Sequence, residues 1–580
     1  MASADFKTTL IKQSTLADIT DQLDYAVLSG ASSNTYQQFN AVSTSASSIT
    51  FNLQVPSESI VTSREVMIRT DINFSVAITN VPVGLKAFDY GNTDALQAFP
   101  LNSLFSTSSA QINNTNVSVN TQDVLAQLLR LNNSRELYKY NSFTPSLPDQ
   151  AYHSYADGVG ASNNPLGDYA DGSYDVDLLP RGSFRLKSFS YVHTPVVPAA
   201  ATLVSVAVGD AWVLDLTVEV CEPVIGLSPF IFGDCDYNKQ GLVGINAMSF
   251  VFNIDSSCKR FLSCAPIGVG PADRTITVSL GTATKPQPFE NCSMLVNFLS
   301  TQPSDLVPAR NVVPYHDFPR YLSLQSATGP LASGATVSIN SQNIQINQLP
   351  DYFIVCARKP MSSQTVKDSS SFCVINSVSV NLNNASGLLS SATAQDLWRI
   401  SERNGSTQNW QEFSGKAQLT GTNAVIASNV ATTGSLLILS PPFDLSLPDY
   451  LSSGSIGQYN FQLQMSITNQ GADAFTPEIC IICVNSGVFT SVAGSSSIFT
   501  GILTKQMCLD AKTTEAVDPV SSAMYKRMVG GNLGNRIATA VKKMPFLRDI
   551  AGKMRDMVGM GVPVGGGIYS AGGKLDALCA

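Results

Sequence analysis

In the run Trp212-Val213-Leu214-Asp215-Leu216-Thr217-Val218-Glu219-Val220, a large apolar side chain occupies every second position. Successive side chains of a β-strand point to opposite faces of the sheet, so the run predicts a strand with one apolar and one mainly polar face. The same alternation recurs at residues 51–55, 378–382 and 461–467, and clusters of Gly, Pro, Asn and Ser separate such runs. Strands of this kind bury their apolar faces by packing sheet against sheet. The chain is therefore predicted to be mainly β, built from β-sandwiches.

Two short helices interrupt this pattern, and the sequence around them is similar. The first is expected after a cap at Asn120 or Thr121, and the second after a cap at Thr393. Their apolar faces are formed by Val124, Leu125, Leu128 and Leu129 in the first helix and by Leu397, Trp398 and Ile400 in the second. Each helix has Gln-Asp in its first turn, follows a strand that carries Asn-Asn, and precedes a Leu-Pro-Asp turn; the Gln-Asp pairs lie 273 residues apart. This pattern favours two copies of one β-sandwich with a helix on its flank, and the alternative is coincidence between short polar motifs.

The length of 580 residues exceeds what one hydrophobic core usually supports, and four regions are predicted. Residues 1–45 are polar and are interpreted as an N-terminal arm, and residues 511–580 as a tail. Between them, residues 46–235 and 236–510 are expected to form the two sandwiches, divided within a turn-rich stretch. Residues 140–182 form a long loop rich in Gly, Asp, Tyr, Ser and Pro, and loops of this length are usually functional or project from the surface.

Charge is scarce and unevenly distributed. Charged residues make up 13% of the chain, against about 25% in an average globular protein, which lowers the cost of burying the surface between subunits. Residues 532–580 carry a net charge of +4, whereas residues 1–531 carry −12 and are not expected to bind nucleic acid. No secretory signal and no membrane-spanning stretch are expected. The eleven cysteines are scattered and odd in number, which predicts free thiols rather than a disulfide framework.

No constellation of residues in the sequence predicts catalysis, a metal site or a cofactor. The histidines are His153, His193 and His316, and none has a second ligand at metal-binding spacing. Cys480 and Cys483 form a C-x-x-C within an apolar β run, so their sulfurs should lie on opposite faces of a strand as buried structural thiols. A cluster of acidic residues in the long loop is interpreted as solvated rather than as a calcium site; it comprises Asp168, Asp171, Asp175 and Asp177. The chain is therefore predicted not to be an enzyme.

Several motifs resemble those of a viral protein family. They are residues 98–105 (Ala-Phe-Pro-Leu-Asn-Ser-Leu-Phe), residues 112–114, 119–123, 55–59 and 349–353, and residues 440–444 (Ser-Pro-Pro-Phe-Asp). This set looks like the double jelly-roll major capsid proteins of Polinton-like viruses, adintoviruses and virophages, over most of residues 45–510. The resemblance implies two tandem jelly-roll sandwiches in a virion protein that is assembled in the host cell. It also implies trimeric capsomers with a six-sided footprint, which tile an icosahedral DNA-virus shell together with penton proteins. The long loop would then form an outward tower.

The tail resembles a maturation substrate. The run Met528-Val529-Gly530-Gly531, followed by Asn532, is similar to the pattern that adenovirus-type maturation proteases cut. The run Met557-Val558-Gly559-Met560, followed by Gly561, is similar to the second form of that pattern. Cleavage is therefore predicted after Gly531 and after Met560.

Between the two cleavage motifs, apolar residues recur at helical spacing, with basic residues at other positions. The apolar residues are Leu533, Ile537, Val541, Met544, Leu547, Ile550, Met554 and Met557. Two interpretations of this basic amphipathic helix remain open: it docks under the shell against genome or a neighbouring subunit, or it acts on a membrane after release.

A different class of function also fits a tandem β-sandwich with a weakly charged surface. A carbohydrate-binding adhesin would use exposed aromatic side chains such as Tyr169 and Tyr174 to bind glycans. A β-sandwich hydrolase is disfavoured, because no nucleophile and base are found at suitable positions in the sequence. The capsid protein is the leading interpretation.

Overall fold

The computed structural model describes residues 7–11, 24–29, 32–82, 87–148, 184–194, 211–232, 241–301 and 310–500. Short gaps within these ranges fall at residues 89, 91–93, 133, 265–266, 268–272, 369, 384, 421–426, 446, 448–452, 455 and 472. Within the described ranges, no helix has both the length and the apolar character needed to cross a membrane.

Strand predominates in the first half of the described chain. Its strands are β1 (Lys7–Ile11), β2 (Asp24–Ser29), β3 (Ser32–Asn40), β4 (Ser43–Thr44), β5 (Ser48–Gln54), β6 (Val61–Thr79), β7 (Asp94–Leu96), β8 (Phe105–Ile112), β9 (Thr115–Val119), β10 (Arg185–Thr194), β11 (Ala211–Pro223), β12 (Ala247–Ile254), β13 (Leu262–Cys264), β14 (Thr275–Leu280) and β15 (Phe289–Thr301). Its helices are α1 (Pro100–Leu104), α2 (Thr121–Leu131) and α3 (Ser134–Leu137), the last followed by a 3-10 turn at Tyr138–Tyr140. Residues 32–301 are called the first unit below.

The second half is also mainly strand. Its strands are β16 (Arg310–Asp317), β17 (Arg320–Leu324), β18 (Thr336–Asn340), β19 (Ile344–Gln348), β20 (Tyr352–Arg358), β21 (Val374–Leu382), β22 (Ala385–Leu388), β23 (Lys416–Thr420), β24 (Ala427–Ala431), β25 (Leu437–Leu439), β26 (Ile456–Thr468), β27 (Glu478–Val492) and β28 (Ser495–Thr500). Its helices are α4 (Ala394–Arg403), α5 (Trp410–Phe413) and α6 (Pro441–Asp444), with 3-10 turns at Ser326–Thr328 and Met361–Ser363. Residues 310–500 are called the second unit.

Both units have the same strand order in two antiparallel sheets. In the first unit the large sheet runs β3-β15-β6-β11, with β10 beside β11, and the small sheet runs β5-β12-β8-β9. In the second unit the large sheet runs β17-β27-β20-β25 and the small sheet β18-β26-β21-β22, with β19 also paired to β26. In both units, the eight strands taken in chain order are assigned to the large and small sheets in the same sequence. This connectivity is the double Greek key of a jelly roll. The predicted fold class, two tandem jelly rolls with short helices, is confirmed.

Matching hairpins in the two small sheets support the predicted duplication. Asn113 and Asn383 both have a positive φ, 50° and 51°, a conformation that Asn tolerates better than most residues. The Asn113 backbone N–H donates to the Ala247 carbonyl (2.9 Å), and its side-chain oxygen accepts from the Asn246 N–H (2.8 Å). Asn383 makes both bonds with Asn460, at 2.8 and 2.9 Å. In each unit, this Asn fixes the turn that leads through a short strand into the helix.

The predicted division between the sandwiches differs from the strand pairing. It placed residues from 236 onward in the second sandwich, but β12 pairs with β5 and β8, and β15 pairs with β3 and β6, all in the first unit. The turn-rich stretch lies between β11 and β12, inside the first jelly roll. In a Greek key, the last strands pair with the first ones, so a long connection does not mark the end of a unit.

The predicted arm also differs from the structure. Residues 32–40 form β3 at the edge of the large sheet, where main-chain bonds to β15 compensate for a sequence with few apolar side chains. Most of the long loop and the whole tail lie outside the described residues.

A buried carboxylate explains the motif at residues 98–105. The fully buried Glu222 side chain accepts bonds from the backbone N–H groups of Leu101 and Asn102, at 2.8 and 2.9 Å, at the start of α1. It also accepts from the Asn102 amide (2.8 Å) and the Thr144 hydroxyl (2.9 Å). Burial raises the pKa of Glu222, and these hydrogen bonds oppose the rise. The carboxylate therefore anchors α1 to the end of β11.

Candidate assembly interface

The large sheet of the second unit is buried on both faces. Along β20, β27, and β25 with the residue before it, alternate residues belong to two different hydrophobic clusters. Those facing the core of the second unit are Phe353, Val355, Ala357, Leu437, Leu439, Ile479, Ile481 and Cys483. Those on the opposite face, called the outer face, are Tyr352, Ile354, Cys356, Leu436, Ile438, Cys480, Ile482 and Val484, and they join the cluster of the first unit. The outer face of one jelly roll is therefore covered by the other, and this contact is called the inter-unit interface.

Helix α2 of the first unit lies in this interface. Ten of its eleven residues are buried, including the predicted apolar face. The Gln127 side-chain amide donates to the Cys356 sulfur across the interface at 3.5 Å. The sequence predicted a helix on the flank of a sandwich with one apolar face. The structure shows instead a helix covered by both units, because the second unit packs over its remaining surface.

A charged cluster at the start of α2 connects the units. The Asp123 carboxylate accepts hydrogen bonds from the guanidinium groups of both Arg358 and Arg320. The Arg358 side chain is 2% exposed, and its Nε lies 3.5 Å from an oxygen of Glu478. Burial raises the pKa of Glu478, and the charge of Arg358 opposes that rise. Two cations from the second unit thus neutralise a carboxylate that the first unit presents.

The far end of α2 is held as well. The Arg130 guanidinium donates to the Ser370 carbonyl oxygen at 2.8 Å and lies over the Phe372 ring, 5.7 Å from its centroid. The Thr407 hydroxyl donates to the Arg130 carbonyl oxygen. Asp123 and Arg130 are seven residues apart, so they lie on the same side of the helix, two turns from each other. Together they fix both the position and the direction of α2 on the second unit.

A second set of contacts joins the units through the β27–β28 hairpin. The Ser496 hydroxyl donates to the Ile112 carbonyl (2.6 Å), and the Ser496 N–H donates to the Asn114 side-chain oxygen (2.7 Å). The Gly494 N–H donates to the Gly244 carbonyl at 3.0 Å. The second unit therefore also recognises the Asn113-Asn114 turn of the first.

His316 lies in the same region. Its backbone N–H donates to the Ser228 hydroxyl (3.0 Å), which connects β16 to the first unit. Burial lowers the pKa of the His316 imidazole to about 4, and the charge of Arg64 adds to the shift. The imidazole is therefore neutral at pH 7 in the folded protein.

The C-x-x-C pair is placed as predicted. Cys480 is in the cluster at the inter-unit interface and Cys483 is in the core of the second unit, both buried, so the two sulfurs are on opposite faces of β27. A hydrogen bond with Cys356 and burial raise the pKa of Cys480, and burial raises that of Cys483. The predicted burial of these two thiols on opposite faces of a strand is confirmed.

The remaining predicted residues lie outside the part of the chain that the structure describes. They are His153, the acidic cluster Asp168, Asp171, Asp175 and Asp177, the aromatics Tyr169 and Tyr174, and the cleavage candidates Gly531, Asn532, Met560 and Gly561. Among the residues that the structure describes, no group of three or more His, Cys, Asp or Glu side chains is placed to hold a metal ion.

The charged residues of the inter-unit interface were not predicted from the sequence. From the sequence, Asp123 is recognised only as part of the Gln-Asp pair in the first turn of a helix, whereas the structure pairs it with Arg320 and Arg358, nearly 200 residues or more away. A usable signal was present, because an Arg follows each Gln-Asp pair at the same spacing, at Arg130 and Arg403.

Comparison with known proteins agrees with this architecture. Residues 4–299 match the family described as the Sputnik virophage major capsid protein 1st domain, and residues 318–487 match the major capsid protein V20 C-terminal domain. The putative capsid protein V20 of Sputnik virophage is 25% identical over 552 residues, which cover 93% of this chain and 87% of the relative. The predicted resemblance to double jelly-roll capsid proteins is confirmed.

Solved structures show the same fold. The cryo-EM structure of the Sputnik virophage aligns with a TM-score of 0.69 at 24% identity, covering 88% of this chain and 96% of that one. The crystal structure of the mavirus major capsid protein aligns with a TM-score of 0.60 at 16% identity, covering 82% and 92% of the two chains.

The charged cluster predicts a graded response to substitution. Arg358→Ala leaves Glu478 and Asp123 without their buried cation, so a loss of about 3–5 kcal/mol in stability is expected. Arg320→Ala should cost less, because the Arg320 side chain is 32% exposed and water can replace it. Scanning calorimetry of the purified variants measures both, and equal losses would contradict this account of the cluster.

His316 predicts a loss of stability in acid. The unfolded chain takes up a proton below pH 6.5 but the folded imidazole only near pH 4, so stability falls between these values by at most about 3 kcal/mol. Since carboxylates also titrate in this range, the unfolding temperature should be measured from pH 7 to 4.5 for the wild type and His316→Gln. The wild type should show the steeper fall; parallel curves would exclude this role for His316.

Proposed function

Because the chain belongs to the Sputnik virophage major capsid protein family, and is therefore a structural protein of the virion, we propose that three copies join into a capsomer with a six-sided outline. Such capsomers would tile an icosahedral shell through contacts with neighbouring capsomers and with penton proteins. The charged fraction of 13% supports this proposal, since weakly charged polar surfaces cost less to bury against one another.

The inter-unit interface is the main observation that supports a trimer. It joins two units of the same topology through different surfaces, a helix on one and the outer face of a sheet on the other. A contact between unlike surfaces can be repeated from unit to unit, and it forms a ring if the rotation closes. With two similar units in each chain, a six-membered ring needs three chains.

We further propose that the tail is cut by a viral maturation protease after Gly531 and after Met560. Two matches to the Gly-containing pattern bracket a basic amphipathic segment, and small glycines let an extended backbone lie flat in a narrow protease groove. The released segment would contact the inner side of the shell, the genome or a membrane.

The trimer is tested by native mass spectrometry of the full-length chain, together with sedimentation over a range of concentrations. The expected species has three times the 61.7 kDa chain mass. A monodisperse monomer at high concentration would overturn the proposal.

The cleavage is tested by intact-mass analysis of protein from mature particles. A dominant species ending at Gly531 is expected, and in a Gly530→Val, Gly531→Val variant this species should be lost, because branched side chains do not fit the groove. Wild-type protein that ends mainly at Ala580 would exclude processing.

A further inference from the structure

We propose that the exposed side of α4 docks on the outer face of the first unit's large sheet in a second copy of this chain, with Asp396 and Arg403 acting as Asp123 and Arg130 do within one chain. The inference rests on the proposed self-assembly and names the surfaces that would meet. In the first unit, the face of the large sheet that is turned away from its own core, also called its outer face, carries the side chains of Arg69, Asp71, Arg185, Lys187 and Glu219.

Helices α2 and α4 are equivalent in sequence and in position. Gln122-Asp123 with Arg130 corresponds to Gln395-Asp396 with Arg403, with the same seven-residue spacing from Asp to Arg. Each helix follows the hairpin between the third and fourth strands of its small sheet. Because the spacing is the same, Asp396 and Arg403 also lie on one side of their helix, two turns apart.

The two helices differ in what covers them. Arg130 is 4% exposed and the Asp123 side chain 8%, because the second unit packs over them. Asp396 is exposed, and the Arg403 side chain is 61% exposed although it pairs with Asp444. The charged pair that orients one helix in the inter-unit interface is therefore repeated on the other helix, where the described chain leaves it at the surface.

Asp396 is available for a further contact. Thr393 caps α4, and its backbone N–H and hydroxyl donate to one oxygen, Oδ2, of the Asp396 carboxylate. These hydrogen bonds lower the pKa of Asp396, so the carboxylate is ionised at pH 7. A carboxylate accepts hydrogen bonds through both oxygens, so it can keep the cap and also meet a cation.

The first unit offers a matching cationic surface. Asp71 and Glu219 are almost covered, with side chains 5% and 6% exposed, and cations lie over them. Lys187 is 2.7 Å from Asp71, and Arg69 is 2.6 Å from Glu219. The cations remain open to solvent, with Arg69 50%, Arg185 55% and Lys187 41% exposed. The outer face of this sheet is therefore positively charged. Its cations would meet Asp396 in the way that Arg320 and Arg358 meet Asp123.

A second copy fits α4 better than a polyanion does. The exposed side of the helix carries both signs of charge, with Asp396 and Glu402 beside Arg399 and Arg403. Nucleic acid would be repelled by the two carboxylates. The outer face of the first unit's large sheet presents its cations to solvent, and these are partners for Asp396 and Glu402.

The experiment reverses one charge in the full-length chain. Asp396→Lys should weaken trimerisation roughly tenfold or more at physiological salt, because the new ammonium meets the cations of the sheet. Combining it with Arg185→Glu should restore part of the loss. Thr393→Ala is the matched control: it disrupts the same capping box by removing the hydroxyl but keeps the charge of Asp396, so its trimers should persist. Circular dichroism and melting of each variant confirm that it is folded.

The outcomes separate this docking from the trimer itself. Normal trimers of folded Asp396→Lys, or equal losses in Asp396→Lys and Thr393→Ala, would overturn the docking and leave the trimeric capsomer standing. A wild type that stays monomeric would overturn both. If Arg69→Ala abolished binding of duplex DNA but left trimers intact, the sheet face would be a nucleic-acid surface and the docking would be wrong.

Discussion

The large sheet of the second unit carries apolar side chains on both faces, and the rest of the architecture follows from the need to cover both. Its inner face is covered by its own small sheet, and its outer face by α2 of the first unit. A sheet with an exposed apolar outer face would aggregate, so the second unit depends on the first for its solubility. The two jelly rolls are therefore joined by a continuous buried apolar contact.

Charge gives this apolar contact its direction. Hydrophobic burial is not directional, and on its own it would allow α2 to slide or rotate on the sheet. The bonds of Asp123 to Arg358 and Arg320, together with the contacts of Arg130, fix both ends of the helix. Buried ion pairs add little net stability because desolvation offsets their attraction, but breaking one is costly. In this protein, the ion pairs of Asp123 fix one orientation of the first unit relative to the second.

The two units share a local design but differ in its surroundings. The strand order, the Asn turns at Asn113 and Asn383, and the Asp-Arg spacing of the helices persist in both. What changed is the environment, since α2 is covered within the chain whereas α4 has an exposed side. The same local design thus serves once inside the chain and, under the proposed docking, once between chains.

Local sequence was sufficient for the strands, the two helices, the capping role of Thr393 and the opposite orientation of Cys480 and Cys483. These depend on periodicity and on contacts within a few residues. The two-sandwich architecture was also predicted, because the two helices and their flanking motifs recur in the same order in both halves of the chain.

Only the tertiary structure decided where the first unit ends, that β3 belongs to a sheet rather than an arm, and which residues join the units. Pairing β12 with β5, or Asp123 with Arg358, brings together residues about 200 or more positions apart. Such pairing is selected by the packing of the whole sandwich, because main-chain hydrogen bonds are the same for every strand and carry no signature in the local sequence.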